Sequence, residues 1–237
     1  MRIAIFSDIH GNMQALEAVL ADMAAQKPDA VYCLGDLVGY GANPNEVTDR
    51  IRREGYLTVM GNYDDAVGYD RDDCGCGYIE ERDWQLGDRS LAWTKAHTTT
   101  ENKAFLRTLV KEIRFETDGE RLLLVHGSPR NMNELLFEDR AISTFERIAA
   151  SSSADVIVFG HTHKPYTKNV EGVLFVNVGS VGKPKDGDWR ACYAVFEHGA
   201  ASFRRVDYDV KAAAAAIRAA DLPDEFASDI ESGGSLR

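Results

Sequence analysis

Short apolar runs alternate with amphipathic segments at the start of this 237-residue chain, and few folds accommodate that order. The run Ile3–Phe6 is typical of a strand, and apolar residues then recur at helical spacing over Met13–Met23. Further strands are predicted over Ala30–Leu34 and Tyr56–Met60, with a helix capped by Asn43 between them. This β-α-β-α-β order predicts a parallel sheet with helical crossovers and therefore an α/β fold.

The middle and end of the chain depart from this alternation. Residues 66–111 are charged and become helical, and we interpret them as a helical excursion from the sheet. Strands are predicted again at Arg121–Val125, Val156–Phe159, Leu174–Val178, Cys192–Glu197 and Ala201–Val206. Because the late strands lack long helices between them, they indicate an antiparallel portion or a second sheet.

One domain is predicted over residues 1–227, ending in an alanine-rich helix over Val210–Ala220. Residues 228–237 contain Ser-Gly-Gly-Ser and are predicted to form a flexible tail.

Acidic residues outnumber basic ones, 38 Asp and Glu against 27 Lys and Arg, so the formal net charge is −11. This balance argues against binding to nucleic acid or anionic membranes, because both depend on basic surfaces. No apolar run is long enough to cross a bilayer or to form a signal peptide. The four cysteines show no disulfide framework, so we expect a cytoplasmic protein.

Polar clusters follow five of the predicted strands, each at the carboxyl end of an apolar run. They are Asp8-x-His10, Gly35-Asp36, Gly61-Asn62-Tyr63-Asp64, His126-Gly127 and Gly160-His161-Thr162-His163. Loops at that end of open α/β sheets converge on one crevice, so we expect these side chains to meet. Each cluster alone has little specificity, because a single Asp-x-His or Gly-Asp is commonly part of a turn.

The donors in these clusters suit metal ions. Two carboxylates, one carboxamide and four imidazoles offer oxygen and nitrogen but no thiolate, a set that suits manganese, iron or zinc. Seven donors are too many for one ion, whereas two ions sharing a carboxylate use them all and leave positions for water and substrate.

The ordered set of clusters resembles the calcineurin-like metallophosphoesterase superfamily, and most closely its small bacterial and archaeal phosphodiesterases. The resemblance covers residues 1 to about 206. It implies a four-layer αββα sandwich of two mixed β-sheets flanked by helices, with a small helical insertion. It also implies a dinuclear metal site along the rim of the sheets.

The resemblance also assigns a role to each clustered residue. The implied metal ligands are Asp8, His10 and His163 for one ion, Asn62, His126 and His161 for the other, and Asp36 as the bridge. The implied catalytic residues are Asp36, Asn62, Tyr63 and Asp64. The resemblance further implies that a metal-bound hydroxide attacks a small phosphoester, for which a nucleotide is one candidate. The expected ions are Mn²⁺ or iron, with Zn²⁺ or Ni²⁺ as alternatives.

Position 63 departs from the family pattern. Many members have Gly-Asn-His-Asp or Gly-Asn-His-Glu, in which the histidine protonates the leaving group, whereas this chain has Tyr63. A phenol with an ordinary pKa of about 10 is a poorer proton donor at neutral pH than an imidazole. We therefore expect Tyr63 to contact phosphate or to act as a weak acid, and Asp64 to hold Tyr63 or to brace the turn.

A second departure separates this chain from the protein serine/threonine phosphatases. These extend Gly-Asp into Gly-Asp-x-Val-Asp-Arg-Gly, but here the sequence is Gly35-Asp36-Leu37-Val38-Gly39-Tyr40-Gly41. Phosphodiester hydrolysis is therefore the first prediction, and phosphomonoester or phosphoprotein hydrolysis the second. The remaining alternative is an interaction scaffold without catalysis, which the complete ligand set disfavours, because converging donors stay unsatisfied without metal.

Two further features lie outside these clusters. Cys74 and Cys76 are two residues apart in an acidic loop, and we expect free thiols, because a bond between such close cysteines is strained. The loop follows Tyr63 closely and can shape the mouth of the pocket. Candidate contacts for the negative charge of a substrate are Arg130, Lys183, Lys185 and Arg190.

Overall fold

The computed structural model describes residues 1–77 and 80–234. The strands within those residues are β1 Ile3–Phe6, β2 Ala30–Cys33, β3 Leu57–Thr58, β4 Ile113–Thr117, β5 Glu120–Leu124, β6 Val156–Phe159, β7 Tyr166–Val170, β8 Val173–Asn177, β9 Ala191–Glu197 and β10 Ala200–Val206. The helices are α1 Met13–Gln26, α2 Pro44–Glu54, α3 Asn62–Gly68, α4 Glu81–His97, α5 Thr100–Leu106, α6 Ile142–Ser152, α7 Val210–Ala219 and α8 Asp224–Ser232.

The strands form two mixed five-stranded sheets. The first has the order β10-β9-β1-β2-β3, in which β1, β2 and β3 are parallel and β9 is antiparallel to both of its neighbours. The second has the order β4-β5-β6-β8-β7, in which β5, β6 and β8 are parallel and the edge strands are antiparallel. The predicted antiparallel portion and second sheet are therefore both present.

The two sheets pack face to face with helices on both outer faces. Buried residues from both sheets, such as Ile5, Val158 and Phe196, form one cluster between them. Residues of α1, α2, α7 and α8 form a second cluster against the outer face of the first sheet, while Phe145 and Ile148 of α6 belong to the cluster on the other outer face. This is the four-layer αββα sandwich that the resemblance implied.

Several elements differ from the sequence prediction. Strand β3 has two residues rather than the five of Tyr56–Met60, because the chain then leaves the sheet and enters helix α3 at Asn62. Strands β4 and β7 and helix α6 were not predicted. The two strands lie at sheet edges and bury few side chains, so they lack a continuous apolar run. The helix predicted from Ile79 begins at Glu81, and Ile79 itself lies outside the described residues.

The prediction of a flexible tail from residue 228 is wrong for the described part of that segment. Helix α8 continues to Ser232, and Phe226 and Ile230, one turn apart, are buried. Asp229 accepts a hydrogen bond of 2.6 Å from Lys183 Nζ, and both side chains are almost fully buried. Packing of this helix face overrides the local Ser and Gly composition. Residues 235–237 lie outside the described residues.

Within residues 1–77 and 80–234, no helix combines the length and the apolar character required to cross a membrane.

The Lys183–Asp229 ion pair makes α8 part of the stable fold. The substitution Asp229→Asn removes the carboxylate that neutralises a buried ammonium, so we expect the free energy of unfolding to fall by about 3 kcal/mol. Urea denaturation measures this change. The matched control is Glu231→Gln, which also lies on α8 but alters an exposed pair with Arg218 of α7, and it should have a much smaller effect. Equal effects of the two substitutions would contradict this role.

Candidate metal centre

All seven predicted ligands lie just beyond the carboxyl ends of strands, and all are buried. Strand β1 leads to Asp8 and His10, β2 to Asp36, β3 to Asn62, β5 to His126, and β6 to His161 and His163. The structure brings their donor atoms into two groups, each spanning no more than 4.8 Å. The first cluster is Asp8, His10 and His163, and the second is Asp36, His126 and His161, with Asn62 beside it.

The backbone at these positions is unusual. Five of the seven residues have φ between 49° and 65°, in the left-handed region: Asp8, His10, Asp36, His161 and His163. Non-glycine residues seldom adopt this conformation, and they do so at a cost of about 1–3 kcal/mol where the surrounding structure requires it. Such a concentration of strained residues is typical of a functional site.

Two glycines allow the loops to approach one another. A Cβ atom on Gly61 would collide with the Asp36 carboxylate, and one on Gly160 would collide with the Asp8 carboxylate. Larger residues at these two positions would push the carboxylates out of place.

In the first cluster, backbone carbonyls orient both imidazoles. His10 Nδ1 lies 3.0 Å from the Val38 carbonyl oxygen, and His163 Nδ1 hydrogen-bonds the Lys183 carbonyl. Each Nδ1 therefore carries the proton and donates it, which leaves Nε2 as a lone-pair donor for a metal. The two Nε2 atoms face each other at 3.2 Å, and Asp8 Oδ1 lies 3.3 Å from His163 Nε2.

The protonation states in the first cluster favour binding of a cation. Burial lowers the pKa of His10 to about 3 and that of His163 to about 4, so both rings are neutral at pH 7. Two neutral rings with Nδ1 protonated then point lone pairs at each other, and among the described residues Asp8 Oδ1 has no hydrogen-bond donor. Because metal–imidazole bonds are about 2.0–2.1 Å long, one ion between the rings fits this spacing.

The second cluster is arranged on the same plan. His126 Nδ1 lies 2.7 Å from the Leu34 carbonyl oxygen, while its Nε2 lies 3.1 Å from Asn62 Oδ1 and 3.4 Å from Asp36 Oδ2. The Nε2 atom of His161 is buried and has no hydrogen-bond partner among the described residues. A buried nitrogen atom without a partner, such as His161 Nε2, is the kind of atom that a bound ion coordinates.

Asp36 lies between the two clusters. Its Oδ2 atom is 3.6 Å from His10 Nε2 in the first cluster and 3.4 Å from His126 Nε2 in the second, which is the position of a bridging carboxylate. Its Oδ1 atom accepts a hydrogen bond of 2.9 Å from the Tyr63 backbone N–H. Burial lowers the pKa of His126, but the negative charge of Asp36 outweighs this effect and raises that pKa to about 9.

Asp64 lies behind these ligands. Its carboxylate accepts hydrogen bonds of 2.8–3.0 Å from the backbone N–H groups of Asp36, Leu37 and Gly61. Burial and the nearby charge of Asp36 raise the pKa of Asp64 to about 7. These contacts connect the loop after β2 to the loop after β3. Asp64 therefore braces the turn.

A pocket of about 320 Å³ opens onto both clusters. Besides the ligands, its walls include Tyr40, Tyr63, Phe137, Phe226, Lys164, Lys183 and Lys185. The sequence singled out Tyr63 and two of the lysines but not Tyr40 or Phe226, whose rings pack edge to face at 5.1 Å. Phe226 was missed because it lies in helix α8, which replaces the predicted tail.

The expectation of free thiols at positions 74 and 76 is wrong, since the structure pairs Cys74 and Cys76 in a disulfide. Their Cα atoms are 5.3 Å apart, within the usual range for bonded cysteines, because Gly75 between them adopts a left-handed conformation. Cys33 and Cys192 remain free and buried.

The two clusters should respond differently to pH. At pH 7 His126 is protonated, so an ion entering the second cluster must displace about one proton, and its affinity should rise about tenfold per pH unit up to pH 9. His10 and His163 are already neutral, so the affinity of the first cluster should stay constant over that range. Calorimetric metal titrations in buffers of different ionisation enthalpy measure the released protons. Equal proton release at both clusters would contradict this assignment.

Comparisons with known proteins agree with this geometry. Residues 1–200 match the calcineurin-like phosphoesterase superfamily domain. Uncharacterized protein MJ0912 of Methanocaldococcus jannaschii is 35% identical to this chain over 94% of each chain. Phosphodiesterase YfcE of Escherichia coli is 26% identical over 79% of this chain and 83% of its own. The crystal structure of a metallophosphoesterase from Sphaerobacter thermophilus superimposes with a TM-score of 0.79 at 30% identity, covering 98% of this chain and 99% of the other. The chain therefore belongs to the calcineurin-like phosphoesterase superfamily.

Proposed function

We propose that this protein hydrolyses phosphodiesters with the help of two divalent metal ions. The position of Asp36 carries this proposal, because one of its oxygens lies within 3.6 Å of imidazoles from both clusters. A single-ion site has no use for a carboxylate between two sets of donors. Bound in this way, a pair of ions supplies an activated water and neutralises the charge that develops on phosphate.

The protein's own residues hold and orient the reacting groups. We assign Asp8, His10 and His163 to one ion and Asn62, His126 and His161 to the other, with Asp36 shared. The carbonyls of Val38, Leu34 and Lys183 fix the imidazole orientations, and Asp64 fixes the loop that carries Asp36. Lys164 and Lys185 line the pocket and favour phosphate there although the chain as a whole is acidic, whereas the charge of Lys183 is neutralised by Asp229.

Three observations favour a diester over a monoester. The Asp-Arg pair of the protein phosphatases is absent, and Gly39 and Tyr40 stand in its place. Tyr40, Phe137 and Phe226 give the pocket an apolar wall that can accept a second organic group, such as the base of a nucleotide. In addition, the relative YfcE is named a phosphodiesterase.

The donor set also limits the metal. Oxygen and imidazole nitrogen ligands without thiolate suit Mn²⁺ or iron, which we propose as the ions, with Zn²⁺ or Ni²⁺ as alternatives.

Tyr63 lines the pocket at the position of the histidine that many relatives use as an acid. Its ring packs against Gly39 and lies 5.6 Å from the His10 ring, so it is held firmly and is almost fully buried. We assign it a hydrogen bond to phosphate and, at most, weak acid catalysis.

The direct test is to strip the protein with a chelator and restore single metals. We expect bis-p-nitrophenyl phosphate hydrolysis to disappear on stripping, to return when two equivalents of Mn²⁺ or Fe²⁺ are added, and to exceed p-nitrophenyl phosphate hydrolysis. Asp36→Asn is the matched variant, because asparagine can still accept the Tyr63 N–H bond but cannot bridge. It should lower kcat on the order of a thousandfold while the circular dichroism spectrum is unchanged. Failure of wild-type protein with two bound ions to hydrolyse either ester would favour the scaffold alternative.

The chemistry of Tyr63 can be tested with leaving groups of different basicity. Tyr63→Phe should reduce turnover by less than about tenfold, because the phenol is a weak acid at neutral pH. Tyr63→His should raise turnover of dialkyl phosphates about tenfold, since alkoxide leaving groups need a proton, and should leave p-nitrophenolate substrates little changed. Steady-state rates on both substrate types measure this difference. No gain for Tyr63→His on dialkyl phosphates would contradict the assignment.

A further inference from the structure

The side-chain amide of Asn62 is held by the loop that contains Cys74 and Cys76. Asn62 Nδ2 donates hydrogen bonds of 3.0 Å to the Cys74 carbonyl oxygen and 3.1 Å to Cys76 Sγ. Its Oδ1 atom faces His126 Nε2 at 3.1 Å. The loop thus occupies the nitrogen end of the carboxamide and leaves the oxygen end to the second cluster, which matters because only the oxygen can bind a metal ion.

This loop is seated firmly by its own contacts. Cys74 is buried within the core cluster that also contains Tyr63 and Leu86. Gly75 has φ +62°, and a Cβ atom there would collide with the Asn133 side chain, so the loop lies tightly against the segment after β5. Asp73 Oδ1 accepts a hydrogen bond of 2.7 Å from the Gly75 N–H. The disulfide then closes the three-residue loop around the acceptor atoms that Asn62 uses.

We propose that the Cys74–Cys76 pair positions the Asn62 carboxamide, and that its thiol–disulfide state sets the metal affinity of the second cluster. The proposal rests on the proposed function only in taking Asn62 as a metal ligand. Cys74 and Cys76 are positioning residues in this account, because they act through Asn62 and not on substrate. Removing an outer partner of a metal ligand typically weakens metal binding by 10- to 100-fold.

The chemical step is reversible exchange with a dithiol. Two electrons and two protons pass from dithiothreitol to the protein, the S–S bond between Cys74 and Cys76 becomes two thiols, and dithiothreitol leaves as its cyclic disulfide. The reduced loop loses its cross-link, and Cys76 Sγ is free to rotate away from Asn62. The carboxamide is then held by the Cys74 carbonyl alone, so its oxygen is less firmly directed at the ion.

The test compares oxidised and reduced protein in metal titration and in turnover. We expect reduction to weaken binding of one of the two Mn²⁺ equivalents by about tenfold or more, to leave the other unchanged, and to lower kcat at limiting Mn²⁺. Reoxidation with diamide should restore both values. Dithiothreitol suits the experiment because it is uncharged and is therefore not repelled by the acidic residues next to the disulfide, Asp70, Asp72 and Asp73.

Two variants provide the controls. The double variant Cys74→Ser/Cys76→Ser should bind the affected ion as weakly as reduced wild-type protein does. Dithiothreitol should not change its metal affinity, and this result would also show that the reagent does not act by chelating the metal. Cys192→Ser, at a buried free thiol on β9, should keep the full response. Titration of thiols after denaturation, which exposes the buried Cys33 and Cys192, should give two in the oxidised wild type and four in the reduced form.

The outcomes separate this inference from the proposed function. Equal Mn²⁺ affinities in the oxidised and reduced protein, or four titratable thiols after diamide treatment, would overturn the role of the cysteines and leave the phosphodiesterase proposal standing. Redox-dependent Mn²⁺ binding without hydrolysis of any ester would support the cysteine role and overturn the proposed reaction.

Discussion

Two neutral imidazoles that face each other beside a buried carboxylate are the interaction on which this site depends. His10 and His163 each donate their Nδ1 proton to a backbone carbonyl and so present bare Nε2 atoms to each other across 3.2 Å. Without a cation, this arrangement buries lone pairs against lone pairs, which is unfavourable. A divalent ion would turn the same atoms into ligands. The second cluster also gathers buried oxygen and nitrogen atoms, from Asp36, His126 and His161.

The fold maintains this arrangement although it requires unfavourable backbone conformations. Five of the seven predicted ligands have left-handed backbone conformations, and Gly61 and Gly160 have no side chains that would keep the loops apart. Parallel strands from both sheets bring the loops to one rim, and the apolar layer between the sheets keeps the strand ends in register. The stability of the layers therefore supports the local strain at the rim.

The sequence predicts the site more completely than the periphery, for physical reasons. Asp8, Asp36 and His161 each follow an apolar strand, and parallel strands bring their carboxyl ends together whatever the loops do. Helix α8 was missed because packing of Phe226 and Ile230 against the core, not local composition, stabilises it. The Cys74–Cys76 pair and the carbonyl partners of the imidazoles depend on loop conformation, which no periodic pattern encodes.

The central claim is that two ions bind at this rim and share Asp36. Anomalous diffraction from crystals soaked in Mn²⁺ tests it most directly. The account predicts two peaks, one among Asp8, His10 and His163 and one among Asn62, His126 and His161, with the Asp36 carboxylate contacting both. A single peak, or peaks away from these residues, would contradict it.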